Sequence, residues 1–276
     1  MKTILLVLNG PNMANTIAFG CYLSGITRAR LVGVFLCDKI SETTSALKEM
    51  YGYNYVEGIL AEDLPERTHE RMEQQIGLFK ETCRKKGINA TMYSNQRVTL
   101  KEVLSESRFV DLIVTDSIFS SDKSREGLPD NMLKILLAGA ECPVLITPFK
   151  PTPIEEIVFC YDGSEEAFFA MKQLVYLLPE LDEVKATVLE VNNGQMIEEN
   201  EQLQVSDWLS RHYSYTEFVI VNGKPEVELF SYLAPKRNTL VVMGAYGRSI
   251  LSRFFQESKA DKLIKQLAFP LFITHH

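Results

Sequence analysis

Two short segments carry the residues best placed for chemistry. Asp162-Gly163-Ser164 follows an apolar run ending at Tyr161 and precedes Glu165-Glu166-Ala167, where a helical pattern begins. Gly244 and Gly247 follow a second apolar run, Leu240–Met243, and lead into Arg248-Ser249. Glycines at such a strand end let backbone N–H groups approach a phosphate, and a helix starting beyond them adds its positive end. Phosphate binding is therefore the chemistry these residues offer. They also have a plainer reading. Ser164 caps a helix whose first turn holds Glu165 and Glu166, and the two glycines make only a tight loop.

Little else in the chain points to chemistry. No nucleophile–base set can be assembled. His69 and His212 fall on polar helical stretches that read as exposed faces, and His275 and His276 close the chain. There is no HExxH, no Walker-type Gly-Lys-Ser/Thr and no Cys/His zinc spacing, so no metal is expected. The cysteines, Cys21, Cys37, Cys83, Cys142 and Cys160, are odd in number and lack a CxxC. Cys37, Cys142 and Cys160 sit in apolar, strand-like runs, which reads as buried thiols of a reducing compartment.

Composition narrows the class. Lys and Arg number 29 against 36 Asp and Glu, a net charge of −7, so a nucleic-acid partner is not expected. The Arg84-Lys85-Lys86 run belongs to a helix C-terminus, where cations complement the dipole. With 46% hydrophobic and 24% charged residues, the chain has the balance of an ordinary globular protein. Thr3–Leu8 is too short for a signal-peptide core and no run of 18 apolar residues occurs, so the expectation is a cytoplasmic protein without a membrane partner.

Short apolar runs alternate with longer amphipathic ones, the pattern of a parallel sheet covered by helices. Strands are predicted at Thr3–Leu8, Arg30–Cys37, Ile88–Tyr93, Val110–Thr115 and Cys142–Thr147, with helices over Met13–Thr27, Leu64–Lys86, Leu100–Arg108 and Asn131–Ala140. The order then repeats, with strands at Glu156–Tyr161, Lys185–Val191, Glu217–Val221, Thr239–Met243 and Pro270–Thr274. Thr3–Gly10 aligns with Glu156–Gly163, and Pro143–Thr147 with Pro270–Thr274. The first repeat is thus longer, with its insertion at Asp38–Asp63. Pro148, Pro151 and Pro153 mark a stiff junction, which divides the 276 residues into domains 1–150 and 151–276.

The segments Phe159–Ser164, Gly223-Lys224-Pro225, Leu240–Ser249 and Phe269–Ile273 resemble the universal stress protein family. The resemblance covers nearly all of the second half and, more faintly, the first. It implies two tandem doubly wound α/β sandwiches of the adenine nucleotide alpha hydrolase-like type, each a five-stranded parallel sheet of order 3-2-1-4-5. Ligands of open α/β sheets bind where strand order reverses, here between strands one and four of a repeat. By similarity to ATP-binding members, Asp162 would sit near the ribose and strand two, ending at Val191, near the adenine, with Gly163 and Ser164 also among the nucleotide-binding residues. Gly244, Gly247, Arg248, Ser249 and Ser258 surround the phosphates. The implied ligand is ATP or AMP with magnesium. The family also implies pairing of the fifth strands, here an intramolecular pseudo-dimer through Val144–Thr147 and Leu271–Thr274. Whether whole chains form a homodimer is left to light scattering, and a protein partner of unknown identity is expected.

The sequence departs from that pattern at Glu257, which replaces the third glycine of Gly-x2-Gly-x9-Gly-[Ser/Thr] just before Ser258. Two like charges about 4 Å apart repel by about 1 kcal/mol in bulk water and about 4 kcal/mol at an effective dielectric near 20. Arg248, Arg253 and Lys259 offset part of this. In the first repeat, Asp162 corresponds to Asn9, Gly244 to Asp116 and Gly247 to Phe119, so no nucleotide is expected there. Leu6–Met13 is similar to the opening of type II dehydroquinases, but that family's Tyr-bearing loop and His motif have no counterpart here. A strand-to-helix turn with Pro11 near its start accounts for the segment.

Two functions follow. One is a stress-response regulator whose second domain senses an adenine nucleotide; the other is a nucleotide-free scaffold or regulatory partner. Slow ATP hydrolysis ranks last, since no general base is evident.

Overall fold

The computed structural model describes residues 1–8, 12–36, 65–94, 98–116, 131–148, 150–194, 196–244 and 269–274. The expected insertion at Asp38–Asp63 lies outside them.

Among the described residues the strands are β1 (Thr3–Leu8), β2 (Arg30–Phe35), β3 (Ala90–Met92), β4 (Leu112–Thr115), β5 (Val144–Ile146), β6 (Glu156–Tyr161), β7 (Lys185–Asn192), β8 (Thr216–Asn222), β9 (Thr239–Gly244) and β10 (Leu271–Thr274). The helices are α1 (Met13–Thr27), α2 (Pro65–Lys85), α3 (Leu100–Glu106), α4 (Asn131–Gly139), α5 (Glu165–Leu177), α6 (Glu199–Ser210) and α7 (Pro225–Leu233). The strands form one sheet in the order β3-β2-β1-β4-β5-β10-β9-β6-β7-β8. Each half therefore has the order 3-2-1-4-5 that the resemblance implies, and within each half every pairing is parallel. The exception is the seam, where β10 runs antiparallel to β5 with Leu271 opposite Ile146, Phe272 opposite Leu145 and Ile273 opposite Val144.

The inner strands are apolar on both sides because helices cover both faces, while the edge strands β3 and β8 are more exposed. Ile4, Leu6, Leu145, Phe159, Val188, Val242 and Phe272 point into one core, under α1, α2, α5 and α6. Leu5, Val7, Val144, Ile146, Leu189, Val241, Leu271 and Ile273 point into the other, under α3, α4 and α7. Both cores draw residues from the two halves, so burial is continuous across the seam. The proline junction is held as well: Ile154 is buried, and its N–H donates to the Tyr22 hydroxyl of α1 at 3.1 Å.

Strand and helix ends shift by one or two residues where local chemistry decides. The helix over 100–106 starts after Thr99, whose hydroxyl accepts from the Glu102 N–H at 3.3 Å while the Glu102 carboxylate accepts from the Thr99 N–H at 2.7 Å, a reciprocal cap. The basic run ends α2 as expected, with Lys85 paired to Glu81 at 2.8 Å. His212 departs from expectation. It is half-buried, its ring 4.6 Å from that of Trp208 and 6.4 Å from that of Tyr176, so it closes the end of α6 against the hydrophobic layer. Among the described residues no helix is long and apolar enough to cross a membrane.

Candidate functional site

β6 and β9 are neighbours, and the connections on their two sides run in opposite senses, so the strand order reverses between them. Their pairing runs from Glu156 opposite Thr239 to Phe159 opposite Val242. Beyond that point Tyr161 leads to Asp162 on one side and β9 ends at Gly244 on the other. The structure thus brings Asp162, Gly163, Ser164 and Gly244 to one crevice. Gly247, Arg248, Ser249, Ser258 and Glu257 lie outside the described residues.

The Asp162 carboxylate is turned back on its own chain. Its Oδ1 accepts from the Ser164 N–H at 3.1 Å and from the Ser164 hydroxyl at 2.5 Å. The Ser164 Oγ in turn accepts from the Ala167 N–H at 3.1 Å, capping α5. Gly163 completes the turn at φ +78, a conformation L side chains rarely adopt. Ser164→Ala is expected to cost about 1 kcal/mol, measured as a lowered urea midpoint with unchanged slope.

Gly244 has a steric reason to be glycine. A Cβ there would lie 2.4 Å from the backbone C and O of Glu166 and 2.7 Å from the Ala167 N. The first turn of α5 is pressed onto the end of β9, and only a residue without a side chain leaves room. The Ala167 N–H of that turn is already taken by the Ser164 cap.

Ile197 and, on the first turn of α6, Glu201 approach Gly163 from the other side. Glu190, on β7, is buried; its Oε1 accepts from the Ile197 N–H at 3.0 Å and its Oε2 from the Gln202 Nε2 at 3.1 Å. Gln202 also donates to the Ile197 carbonyl at 3.0 Å. The Tyr161 hydroxyl donates to Glu201 Oε1 at 2.5 Å. Burial, followed by the Glu201 hydrogen bond and charge, pushes the Tyr161 phenol above its ordinary range, so it stays a donor. Ile197 Cγ1 and Glu201 Oε1 would stand 3.4 and 3.7 Å from a Cβ on Gly163. Val191, expected near an adenine, is half-buried and packs into the other core, under α7. Burial and the Asp162 charge push the neighbouring Cys160 thiol up to about 12, so it stays protonated at neutral pH.

Sequence reasoning missed Glu190, Ile197, Glu201 and Gln202. One signal was available. Ala186, Val188 and Glu190 share a strand face, and a carboxylate at a core-facing position must find donors.

In the first half, the Asp116 carboxylate accepts from the Asn12 N–H at 3.3 Å, at the start of α1, whose Asn12 side chain makes no cap. A fixed acid thus stands at this helix N-terminus, where negative charge is stabilised. Asn9 and Phe119 lie outside the described residues. Among the described residues, no group of three or more His, Cys, Asp or Glu is arranged to hold a metal.

These features define a doubly wound α/β protein of two tandem units joined edge to edge. The architecture is that of a universal stress protein from Archaeoglobus fulgidus DSM 4304, which matches with a TM-score of 0.65 at 13% identity over 99% of this chain and 98% of that one. A putative universal stress protein from Pseudomonas aeruginosa UCBPP-PA14 matches with a TM-score of 0.55 at 13% identity, over 100% of this chain and 93% of that one. A functionally unknown protein from Pseudomonas aeruginosa PAO1 gives 0.55 at 12%, over 100% and 92%. The described residues of both units have the universal stress protein fold. No family model matches it, and no curated protein matches it in sequence.

Proposed function

We propose that this chain is a stress-response regulator of the universal-stress-protein type, built of units 1–150 and 151–276, that works through its protein surfaces without a bound nucleotide. The observation that carries this is the packing of Ile197 and Glu201 against Gly163 in the second unit. Ile197 and Gln202 are held by Glu190, and Glu201 by Tyr161, beside Gly163, where an adenosine would rest by similarity to ATP-binding members. Asp162, Glu190 and Glu201 add negative charge to the same place, against a polyphosphate. The cap of α5 uses Asp162 and Ser164, and the packing of α5 uses Gly244. Acid extraction of the purified protein, followed by chromatography at 260 nm, is expected to release far less than one adenine nucleotide per chain. Near-stoichiometric ATP or AMP would overturn the proposal.

A second reading keeps ATP or AMP with magnesium at Asp162, Gly244, Gly247, Arg248, Ser249 and Ser258. It is favoured by the meeting of Asp162 and Gly244 at the reversal of strand order. Under it, Glu257→Gly binds nucleotide more tightly than the parent chain.

A further inference from the structure

Cys21 and Cys83 are 62 residues apart in sequence, yet their sulfurs lie 3.7 Å apart. Cys21 projects from α1 and Cys83 from the last turns of α2, each with 2% of its surface exposed. They sit among Ile17, Phe79 and Leu31 in the core under α1 and α2. A disulfide needs sulfurs about 2.05 Å apart, so these must close by roughly 1.7 Å. Closing that distance takes side-chain rotation at both residues and a shift of α2 toward α1. α2 is suited to such a shift, because Glu81, Arg84 and Lys85 on its other side face solvent.

The two thiols are not equivalent. The Cys21 thiol is lowered, first by its hydrogen bond with Cys83, against the opposing effect of burial and with a smaller contribution from Lys86, whereas the Cys83 thiol is raised first by its bond with Cys21 and then by burial. That asymmetry favours Cys21 as the thiol oxidised first, with Cys83 resolving it.

We propose that Cys21 and Cys83 form an intramolecular disulfide when the protein meets a peroxide, clamping α2 to α1. The Cys21 thiolate attacks one oxygen of hydrogen peroxide; an S–O bond forms, the O–O bond breaks, and the departing hydroxide takes a proton to leave as water. The Cys83 sulfur then attacks the sulfenic sulfur of Cys21. The S–S bond forms, the S–O bond breaks, and the hydroxyl leaves with the Cys83 proton as a second water. Two thiols lose two electrons and two protons, and peroxide becomes two waters. The closed loop contains β2, so the clamp restrains a long stretch of the first unit.

The test uses the full-length reduced protein treated with a few equivalents of hydrogen peroxide. A non-reducing peptide map by mass spectrometry is expected to show the Cys21 and Cys83 peptides linked and lighter by two hydrogens, with dithiothreitol restoring both. The melting temperature is expected to rise by about 5 °C or more on oxidation. In Cys83→Ser, checked for native circular dichroism, the link disappears and Cys21 is trapped by dimedone as its sulfenic acid. The wild-type map needs no variant and decides alone if Cys83→Ser fails to fold. Equal alkylation of Cys21 and Cys83 before and after peroxide, or a link from either to Cys37, Cys142 or Cys160, would overturn the proposal.

Discussion

Gly244→Ala lowers the melting temperature of the ligand-free protein by roughly 10 °C. Overpacking costs about 1–3 kcal/mol, occasionally more, and each kcal/mol shifts the midpoint by about 2–4 °C in a protein of this size. The upper end applies because the obstacle is backbone: the new methyl would sit 2.4 Å from the Glu166 carbonyl, and no side-chain rotation relieves that. Relief requires α5 to lift from β9, which opens the core at Ala167, Ala170 and Met171. Thermal unfolding followed by circular dichroism measures the shift. If Gly244 served only to admit a phosphate, the variant would melt like the parent and lose only ligand binding.

Phe272→Ala is expected to cost about 3–5 kcal/mol, the range for removing a buried phenylalanine. Phe272 is fully buried, opposite Leu145 across the antiparallel seam, in a core fed by both units. The loss should therefore reach both halves. Trp208 is the one tryptophan of the chain and packs against Phe168 at 5.1 Å, so its fluorescence reports the second half alone. Circular dichroism reports both. In urea, both signals are expected to shift together in the variant, as two halves sharing one core require. Phe272→Leu, which keeps most of the volume, should cost less than about 1.5 kcal/mol. Fluorescence moving alone would mean that the halves unfold independently.

Much of the fold was legible because its signals are local. β1 and β6 match prediction to the residue, since each is an apolar run bounded by turn chemistry. The ends of β3 and β5 were drawn too wide: three-residue strands leave flanking apolar residues outside the ladder, and no local signal separates the two. The turn at Asp162-Gly163-Ser164 was legible as a helix cap because capping is short-range chemistry. The reason for Gly244 was not, because it depends on how closely α5 approaches from 78 residues away in the chain, a property of packing. The same limit hid the Cys21–Cys83 contact, which no spacing motif announces. Glu190 could have been flagged as a carboxylate on a core-facing strand position, but its donors come from a segment whose path sequence does not dictate.

The central claim is that the second unit's own chain occupies the place an adenine nucleotide would take. Isothermal titration calorimetry of ATP, and separately AMP, with and without magnesium tests it most directly. The expected result is no binding heat from either ligand up to millimolar concentration. A saturable heat of about one site per chain, lost in Asp162→Asn, would contradict it.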